Sequence, residues 1–124
     1  MLRQSRFYYR KYLQLLAPYQ PIVDIGCGTG NFLSLCAGAA AFGLDALPAN
    51  VQGCRQRGLR GVAGTATCLP YRSAAVGGIF CAHVLEHLLR DELLAAAAEF
   101  ERVLRPGGRA VVVVPRPRDI WDFY

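Results

Sequence analysis

Apolar runs alternate with amphipathic segments along the chain, and each run stops at a glycine, a proline or an acidic residue. Runs rich in branched and small apolar residues predict strands that are covered on both faces. The predicted strands span residues 22–25, 40–44, 61–63, 76–82 and 109–114, and the predicted helices between them span 29–37, 48–57 and 91–104. This alternation indicates one α/β domain, with a parallel sheet and helices on both faces.

Two predicted helices have defined apolar faces. Residues 2–17 form an amphipathic helix that ends at Pro18, and we expect its apolar face to cover the sheet. The alternative is that an aromatic side chain, Phe7, Tyr8 or Tyr9, reaches into a ligand site. In the helix over 91–104, Asp91 is the predicted N-cap. The predicted apolar faces are Tyr9, Tyr12, Leu13 and Leu16 in the first helix and Leu93, Ala97, Phe100 and Leu104 in the second.

A glycine-rich turn follows the first predicted strand. Asp24 stands at the end of that strand, and Gly26, Gly28 and Gly30 follow at alternate positions. Glycine permits a positive φ and a close approach of a ligand to the backbone. The predicted helix beyond the turn would offer free N–H groups to a polar ligand. The G-x-G-x-G spacing differs from the dinucleotide fingerprint G-x-G-x-x-G, which disfavours a nicotinamide-dependent oxidoreductase.

A second acidic residue ends the second predicted strand. Asp45 lies seventeen residues after Gly28. In nucleotide-binding α/β units an acidic residue at this place accepts hydrogen bonds from both ribose hydroxyls. The alternative role for Asp45 is to cap the helix that follows. We favour the ribose role because of the position at the strand end.

The segment from Asp24 to Gly30 resembles motif I of the class I S-adenosylmethionine-dependent methyltransferases. Three later segments also resemble this family, in the right order: Leu69-Pro70-Tyr71, residues 83–88 and Leu104-Arg105-Pro106-Gly107-Gly108. Over residues 22–114 the chain is similar to the small ubiquinone-biosynthesis-type group. The resemblance implies a Rossmann-like, three-layer, doubly wound sheet with strand order 3-2-1-4-5, and methyl transfer to an acceptor that it does not identify.

The resemblance also implies S-adenosylmethionine as cofactor, lying over the C-terminal strand ends at the topological switch point. The methionine end would be held by Asp24 and the turn that contains Gly26, Cys27, Gly28 and Gly30. Asp45 would hold the ribose, and Ala46 or Leu47 would pack on the adenine. Thr65 and Ala66 would approach the adenine edge, and Cys81 to His83 would flank the methionine moiety.

Two positions depart from the family pattern. Thr65 stands where the family usually has an acidic residue that accepts a hydrogen bond from the adenine amino group. Val76-Gly77 stands where the family often has Phe-Asp. A neutral hydroxyl makes a weaker bond than a carboxylate. The alternative to an enzyme is therefore a non-catalytic or degenerate module that binds S-adenosylmethionine or a partner protein.

The segment 83–88 predicts a turn or helical segment with two histidines. His83 and His87 lie four residues apart with Glu86 between them, but no third ligand is evident, so we expect no metal. His87 is a candidate general base because an imidazole can take a proton from an amine or hydroxyl nucleophile. A structural role for His87 is the favoured alternative.

Composition narrows the expected acceptor, the state of the cysteines and the location of the protein. The net charge is +5, and Arg supplies thirteen of the fourteen basic residues, but they are spread along the chain. We therefore expect a solvated basic surface and a small-molecule acceptor in preference to a nucleic acid. Five cysteines without a C-x-x-C pair indicate reduced core thiols. No apolar run is long enough to span a membrane and no signal peptide is evident, so the expected location is cytoplasmic.

The length of the chain affects its expected domain organisation. Residues 1–124 are predicted to form one domain, with an N-terminal helix over 1–18, a cofactor-binding core over 21–114 and a tail over 115–124. The family's usual sheet has two more strands after the fifth, so the apolar residues 111–114 would form an exposed edge. Either a homodimer or partner chain covers this edge, or the tail folds over it, or the chain is a truncated fragment. Residues 119–124 are the only local candidates for acceptor binding.

Overall fold

The sheet has five parallel strands, and its order matches the order that the resemblance implied. The computed structural model describes residues 3–36 and 38–116. The elements are α1 (Arg3–Leu16), β1 (Ile22–Ile25), β2 (Ala41–Asp45), α2 (Pro48–Gln56), β3 (Gly61–Ala63), β4 (Val76–Ala82), α3 (Arg90–Val103) and β5 (Leu104–Val113). The strand order is β3-β2-β1-β4-β5. The predicted Rossmann-like α/β architecture is therefore confirmed.

Each face of the sheet carries its own apolar cluster, because successive strand residues point to opposite faces. Val23 and Ile25 belong to a cluster that α3 covers through Phe100. Ile22 and Phe80 belong to the cluster that α1 covers. The predicted packing role of α1 is confirmed. Its contacts with this cluster are made by Tyr9, Tyr12, Leu13 and the fully buried Leu16.

The predicted helix over 29–37 is wrong. The described part of this segment contains only a 3-10 turn, Leu33–Leu35, and Ala37 lies outside the described residues. Gly30 and Gly38 adopt φ values of +98° and +82°, which an α-helix does not contain. The few residues between them cannot form a stable helix, and side-chain packing fixes them instead. Phe32, for example, stacks on Phe80 with ring centroids 4.2 Å apart. The glycines are therefore not followed by the predicted helix N-terminus.

Helix α3 begins before the predicted cap. Leu89, not Asp91, is the N-cap residue, and its N–H donates a hydrogen bond to Glu92 Oε1 over 3.0 Å. The buried stripe is also rotated from the predicted one: Leu93 is 40% exposed, whereas Ala96 and Val103 are buried with Phe100. The helix ends directly in β5, because Leu104 already pairs with Val76. Residues 105–108, which separate the predicted helix from the predicted strand, are an irregular part of β5.

Strand β5 lies at one edge of the sheet and is partly exposed. Val112 and Val114 are 42% and 52% exposed, whereas Val111 and Val113 pack against the cluster under α1. Two of the four residues of the predicted apolar edge, Val112 and Val114, are therefore exposed. What covers it stays a prediction. The tail residues 119–124, predicted as acceptor-binding candidates, lie outside the described residues.

The segment before β1 explains why Gly77 stands where the family often has Asp. The N–H groups of Gly77 and Gly78 both donate to Pro21 O, which places the backbone of 19–21 directly against β4. A Cβ at Gly77 would lie 2.6 Å from the carbonyl oxygens of Tyr19 and Gln20. Any side chain at this position would therefore displace backbone.

We expect Gly77→Ala to lower the free energy of unfolding by about 2–3 kcal/mol, because backbone must move to admit the methyl group. Urea denaturation measures the change. The matched control is Gly64→Ala, whose Cβ would meet chiefly a Leu44 methyl group that can rotate away. Equal stability of the two variants would contradict the close packing of 19–21 on β4.

Candidate cofactor-binding site

A cleft of about 360 Å³ lies over the C-terminal ends of β1, β2 and β4. The chain leaves β1 for β2 on one side and reaches β4 on the other, so this is the topological switch point at which α/β sheets bind ligands. The lining residues are Ile25, Gly26, Leu44, Asp45, Ala46, Gly64, Thr65, Ala66, Thr67, His83, Val84, His87, Leu88 and Glu92.

The three glycines of the turn after β1 all adopt a positive φ: +74° at Gly26, +57° at Gly28 and +98° at Gly30. A Cβ at Gly26 would lie 2.3 Å from Val84 Cγ2, and one at Gly30 would lie 2.4 Å from Leu59 Cδ1. At Gly28 a Cβ would meet no atom within 4 Å. Gly26 and Gly30 are therefore required by packing, whereas the space beside the Cα of Gly28 is open.

Asp45 joins this glycine turn to the start of α2. Its Oδ2 accepts a hydrogen bond from Gly28 N–H over 2.9 Å. Its Oδ1 accepts bonds from Leu47 N–H and from the Asn50 side-chain amide over 2.9 and 3.2 Å. A carboxylate has about four acceptor sites, so one remains for a ligand in the cleft that Asp45 lines. The helix-capping role is therefore present, and it leaves room for a ribose contact.

Asp24 lies in β1 and is only 3% exposed. Burial raises the pKa of its carboxyl group well above the usual range, and the nearby charge of Asp45 raises the pKa further. No hydrogen bond from residues 3–36 or 38–116 offsets these effects. A buried carboxyl group of this kind fits a site for a cationic group, which would supply the missing partner.

The far wall of the cleft is a loop that α3 holds in place. Thr65 and Ala66 stand in this loop, and the hydroxyls of Thr65 and Thr67 lie 3.0 Å apart. Further along the loop, Leu69 N–H donates to Glu99 Oε2 over 2.7 Å. Arg102 donates to Glu99 and to the carbonyl oxygens of Leu69 and Tyr71. The hydrogen bonds from Arg102 and then from Leu69 lower the pKa of Glu99 to about 2.

The two histidines stand on the β4 side of the cleft. His83 Nδ1 and His87 Nε2 lie 3.8 and 3.7 Å from Glu86 Oε1. His83 is a non-glycine residue with a φ of +59°, held by a hydrogen bond from its N–H to Val113 O. Such backbone strain often occurs at ligand-binding positions. Both imidazoles are largely exposed and line the cleft.

A family model described as "Methyltransferase domain" matches residues 23–112, which include every strand-end segment of this cleft. The chain belongs to the methyltransferase-domain family. S-adenosylmethionine is the cofactor of the family, and the carboxyl groups of Asp45, which lines the cleft, and of the buried Asp24 fit its polar groups.

The curated relatives of this methyltransferase domain include two tRNA enzymes of Mus musculus. "Probable tRNA methyltransferase 9B" is 31% identical over 106 residues, which are 85% of this chain and 24% of the relative. "tRNA (carboxymethyluridine(34)-5-O)-methyltransferase ALKBH8" is 30% identical over 105 residues, 84% of this chain and 16% of the relative. The chain thus spans a quarter or less of the length of these relatives.

A solved structure gives the same fold. The S-adenosylmethionine-dependent methyltransferase from Archaeoglobus fulgidus matches with a TM-score of 0.80 and 23% identity. The match covers 97% of this chain and 58% of that one. The five-stranded sheet and its helices are therefore those of known methyltransferases.

The structure of this methyltransferase domain brings half of the predicted site residues into the cleft. Those that line it are Gly26, Asp45, Ala46, Thr65, Ala66, His83 and the candidate base His87. Asp24, Cys27 and Cys81 are buried below the cleft, Gly28 and Gly30 form the turn beside it, and Leu47 is 61% exposed outside it. The sequence pattern missed apolar lining residues such as Val84 and Leu88, which follow β4 in the segment 83–88.

The described residues of the methyltransferase domain contain neither a metal site nor a membrane-spanning helix. Among residues 3–36 and 38–116, no three His, Cys, Asp or Glu side chains lie close enough together to hold a metal ion. In the same part of the chain, every helix is too short or too polar to cross a membrane.

Proposed function

We propose that the chain binds S-adenosylmethionine in the cleft and transfers its methyl group to an acceptor. The observation that carries this proposal is the pairing of Gly28 with Asp45: a tight glycine turn and a carboxylate meet where two strands end. When bound, the cofactor supplies an electrophilic methyl group on a sulfonium sulfur. The protein then has to hold the cofactor, orient the acceptor and exclude water.

The residues of the cleft divide these tasks. Asp24 and the turn over 26–30 hold the methionine end, and Asp45 accepts a bond from the ribose. Ala46 is favoured over Leu47 as the adenine contact, because Ala46 lines the cleft and Leu47 does not. Thr65 offers a neutral oxygen to the adenine edge, where the family usually has a charged one. A lower affinity for the cofactor is the expected consequence.

The wall beyond the methyl group is mixed in polarity. Val84 and Leu88 supply apolar surface that excludes water, and His87 lies beside them. His87 takes the proton that an amine or hydroxyl acceptor releases when it is methylated. An acceptor that is already anionic needs no such base, and His87 then only binds it.

We propose a tRNA nucleoside as the acceptor. The support is the names of the two Mus musculus relatives, both tRNA methyltransferases, and the net charge of +5 permits RNA binding without favouring it. A basic protein attracts the phosphates of RNA. The small-molecule acceptor that the composition favours is the alternative, and the same assay tests both.

The assay incubates the protein with methyl-labelled S-adenosylmethionine and either total tRNA or a pool of small amines, alcohols and carboxylic acids. We expect label in the tRNA. Label only in the small-molecule fraction would overturn the tRNA assignment and leave methyl transfer intact. No label in either fraction, from protein that binds the cofactor, would favour the non-catalytic module.

The raised pKa of Asp24 predicts pH-dependent cofactor binding. In the free protein, Asp24 keeps its proton at pH values at which an ordinary carboxyl group is ionised. The ammonium group of the methionine moiety favours the ionised form, so binding releases a proton. Affinity for S-adenosylhomocysteine should therefore rise with pH above the ordinary carboxyl pKa of about 4 and level off once the pH passes the raised pKa.

Calorimetry in two buffers of different protonation enthalpy measures both this rise and the proton released. Asp24→Asn should bind more weakly at the upper end of the range and lose the pH dependence. Asp91→Asn, which changes an exposed carboxyl group at the start of α3, is the matched control. Identical pH profiles for wild type and Asp24→Asn would show that Asp24 does not contact the ammonium group.

A further inference from the structure

Two buried thiols lie directly behind the glycine turn. Cys27 stands between Gly26 and Gly28, and Cys54 stands in α2. Their Sγ atoms are 3.7 Å apart, and the two residues are 7% and 0% exposed. Neither thiol has a part in the proposed methyl transfer.

The thiol pair holds the backbone of the turn. Cys27 Sγ and Cys54 Sγ both donate to the Gly28 carbonyl oxygen, over 3.4 and 3.3 Å. The N–H of the same residue donates to Asp45. Cys54 Sγ would also lie 3.1 Å from a Cβ at Gly30, so the sulfur is packed against the end of the turn. A shift of either sulfur therefore moves the backbone that faces the cofactor.

The distance between the sulfurs is short enough for a covalent bond. A disulfide has an S–S length of about 2.05 Å, so the two sulfurs need to approach by roughly 1.7 Å. Because Cys27 stands in the turn and Cys54 in α2, formation of the bond requires the turn and α2 to move towards each other. The bond would remove both S–H donors from the Gly28 carbonyl oxygen and pull Cys27 towards α2.

We propose that Cys27 and Cys54 are an oxidation site, at which a peroxide forms an intrachain disulfide that weakens cofactor binding. The effect on the cofactor rests on the proposed function, whereas formation of the bond does not.

The reaction is a two-electron oxidation of the two thiols. The sulfur of Cys27 attacks one oxygen of hydrogen peroxide, the O–O bond breaks, and water leaves with formation of a sulfenic acid. The sulfur of Cys54 then attacks the sulfenic sulfur, the S–S bond forms as the S–O bond breaks, and the OH group leaves with the Cys54 thiol proton as a second water. Each sulfur loses one electron, and the peroxide takes up both.

Burial sets the rate of this reaction. Burial, followed by the charge of Asp24, raises the pKa of the Cys27 thiol above its ordinary value of 9.0. Because the thiolate is the reactive form, oxidation is slow near neutral pH and becomes faster as the pH rises. A bound cofactor that keeps the turn closed should slow it further.

Peptide mapping tests for the bond directly. Wild-type protein is treated with hydrogen peroxide, its free thiols are alkylated, and the chain is cleaved before aspartate and after arginine. This cleavage separates residues 24–44, which contain Cys27 and Cys36, from residues 45–55, which contain Cys54 as their only cysteine. We expect these two peptides to be recovered cross-linked, and fewer cross-links when S-adenosylhomocysteine is present. Alkylated peptides without a cross-link would overturn the proposal.

Cys36→Ser is the matched control. Cys36 is a buried thiol that donates to Phe32 O, and its loss leaves Cys27 as the only cysteine of residues 24–44. The cross-link should persist in this variant. Its disappearance would show that Cys36, and not Cys27, had formed the bond.

Binding measurements connect the bond with function. Peroxide should weaken binding of S-adenosylhomocysteine by about tenfold or more in wild type, and reduction should restore it. Cys54→Ser keeps a hydroxyl donor but cannot form the bond, so its binding should resist peroxide. A cross-linked protein with undiminished affinity would overturn the effect on the cofactor. Failure of the reduced protein to bind would instead count against the proposed function and leave the mapping result unaffected.

Discussion

Gly26→Ala is expected to abolish measurable binding of S-adenosylhomocysteine and to lower the free energy of unfolding by about 2–4 kcal/mol. Gly26 has a φ of +74°, which an L-residue adopts only with strain. A Cβ there would also lie 2.3 Å from Val84 Cγ2, and Val84 is a β-branched residue with little freedom to rotate. Because Gly26 and Val84 both line the cleft, the repacking occurs inside the site.

Gly58→Ala is the matched control for this substitution. Gly58 also has a φ of +74°, but a Cβ there would meet no atom within 4 Å, and the residue does not line the cleft. This variant should lose about 1 kcal/mol of stability from backbone strain and keep its affinity. If both variants bound the ligand equally well, the glycine turn would not be the wall of a cofactor site.

Asp45→Ala is expected to weaken binding of S-adenosylhomocysteine by about 1–3 kcal/mol, which is roughly five- to 150-fold. In the proposed site the remaining acceptor position of the carboxylate binds the ribose, and the carboxylate also fixes Gly28 through the 2.9 Å bond to Oδ2. The free energy of unfolding should fall by about 1 kcal/mol, because the N–H groups of Gly28 and Leu47 lose their acceptor. Calorimetry and urea denaturation measure the two effects separately.

Asn50→Ala separates the structural role of Asp45 from its ligand role. The substitution removes one of the three hydrogen bonds to the carboxylate and leaves the carboxylate in the cleft. We expect a small loss of stability and nearly unchanged affinity. Unaltered binding by Asp45→Ala would mean that the carboxylate only caps α2 and holds the turn.

The strands could be predicted because their signal is local. The bounds of β1, β3 and β4 agree with the apolar runs. Of these strands, β1 and β4 are buried on both faces, where a continuous apolar segment is expected. Asp45 could be singled out for the same reason: it ends such a run. The family resemblance then placed the two acidic strand ends and the glycine turn at one edge of the sheet.

The segment after the glycine turn could not be predicted, because its conformation depends on distant residues. Its apolar positions fit a helix, but Phe32 stacks on Phe80, which the sequence places far along the chain. The bond from Gly28 to Asp45 and the contact between Cys27 and Cys54 likewise join residues 17 and 27 positions apart. A periodic pattern in the sequence does not predict such long-range pairs, so the contacts inside the site could be identified only from the three-dimensional structure.

Titration calorimetry of the wild-type chain with S-adenosylhomocysteine, under reducing conditions, is the most direct test of whether the cleft binds the cofactor. We predict saturable one-to-one binding, with Gly58→Ala close to wild type and Gly26→Ala without measurable heat. A wild-type chain that is folded by circular dichroism and yet takes up no ligand would contradict a cofactor site over the ends of β1 and β2.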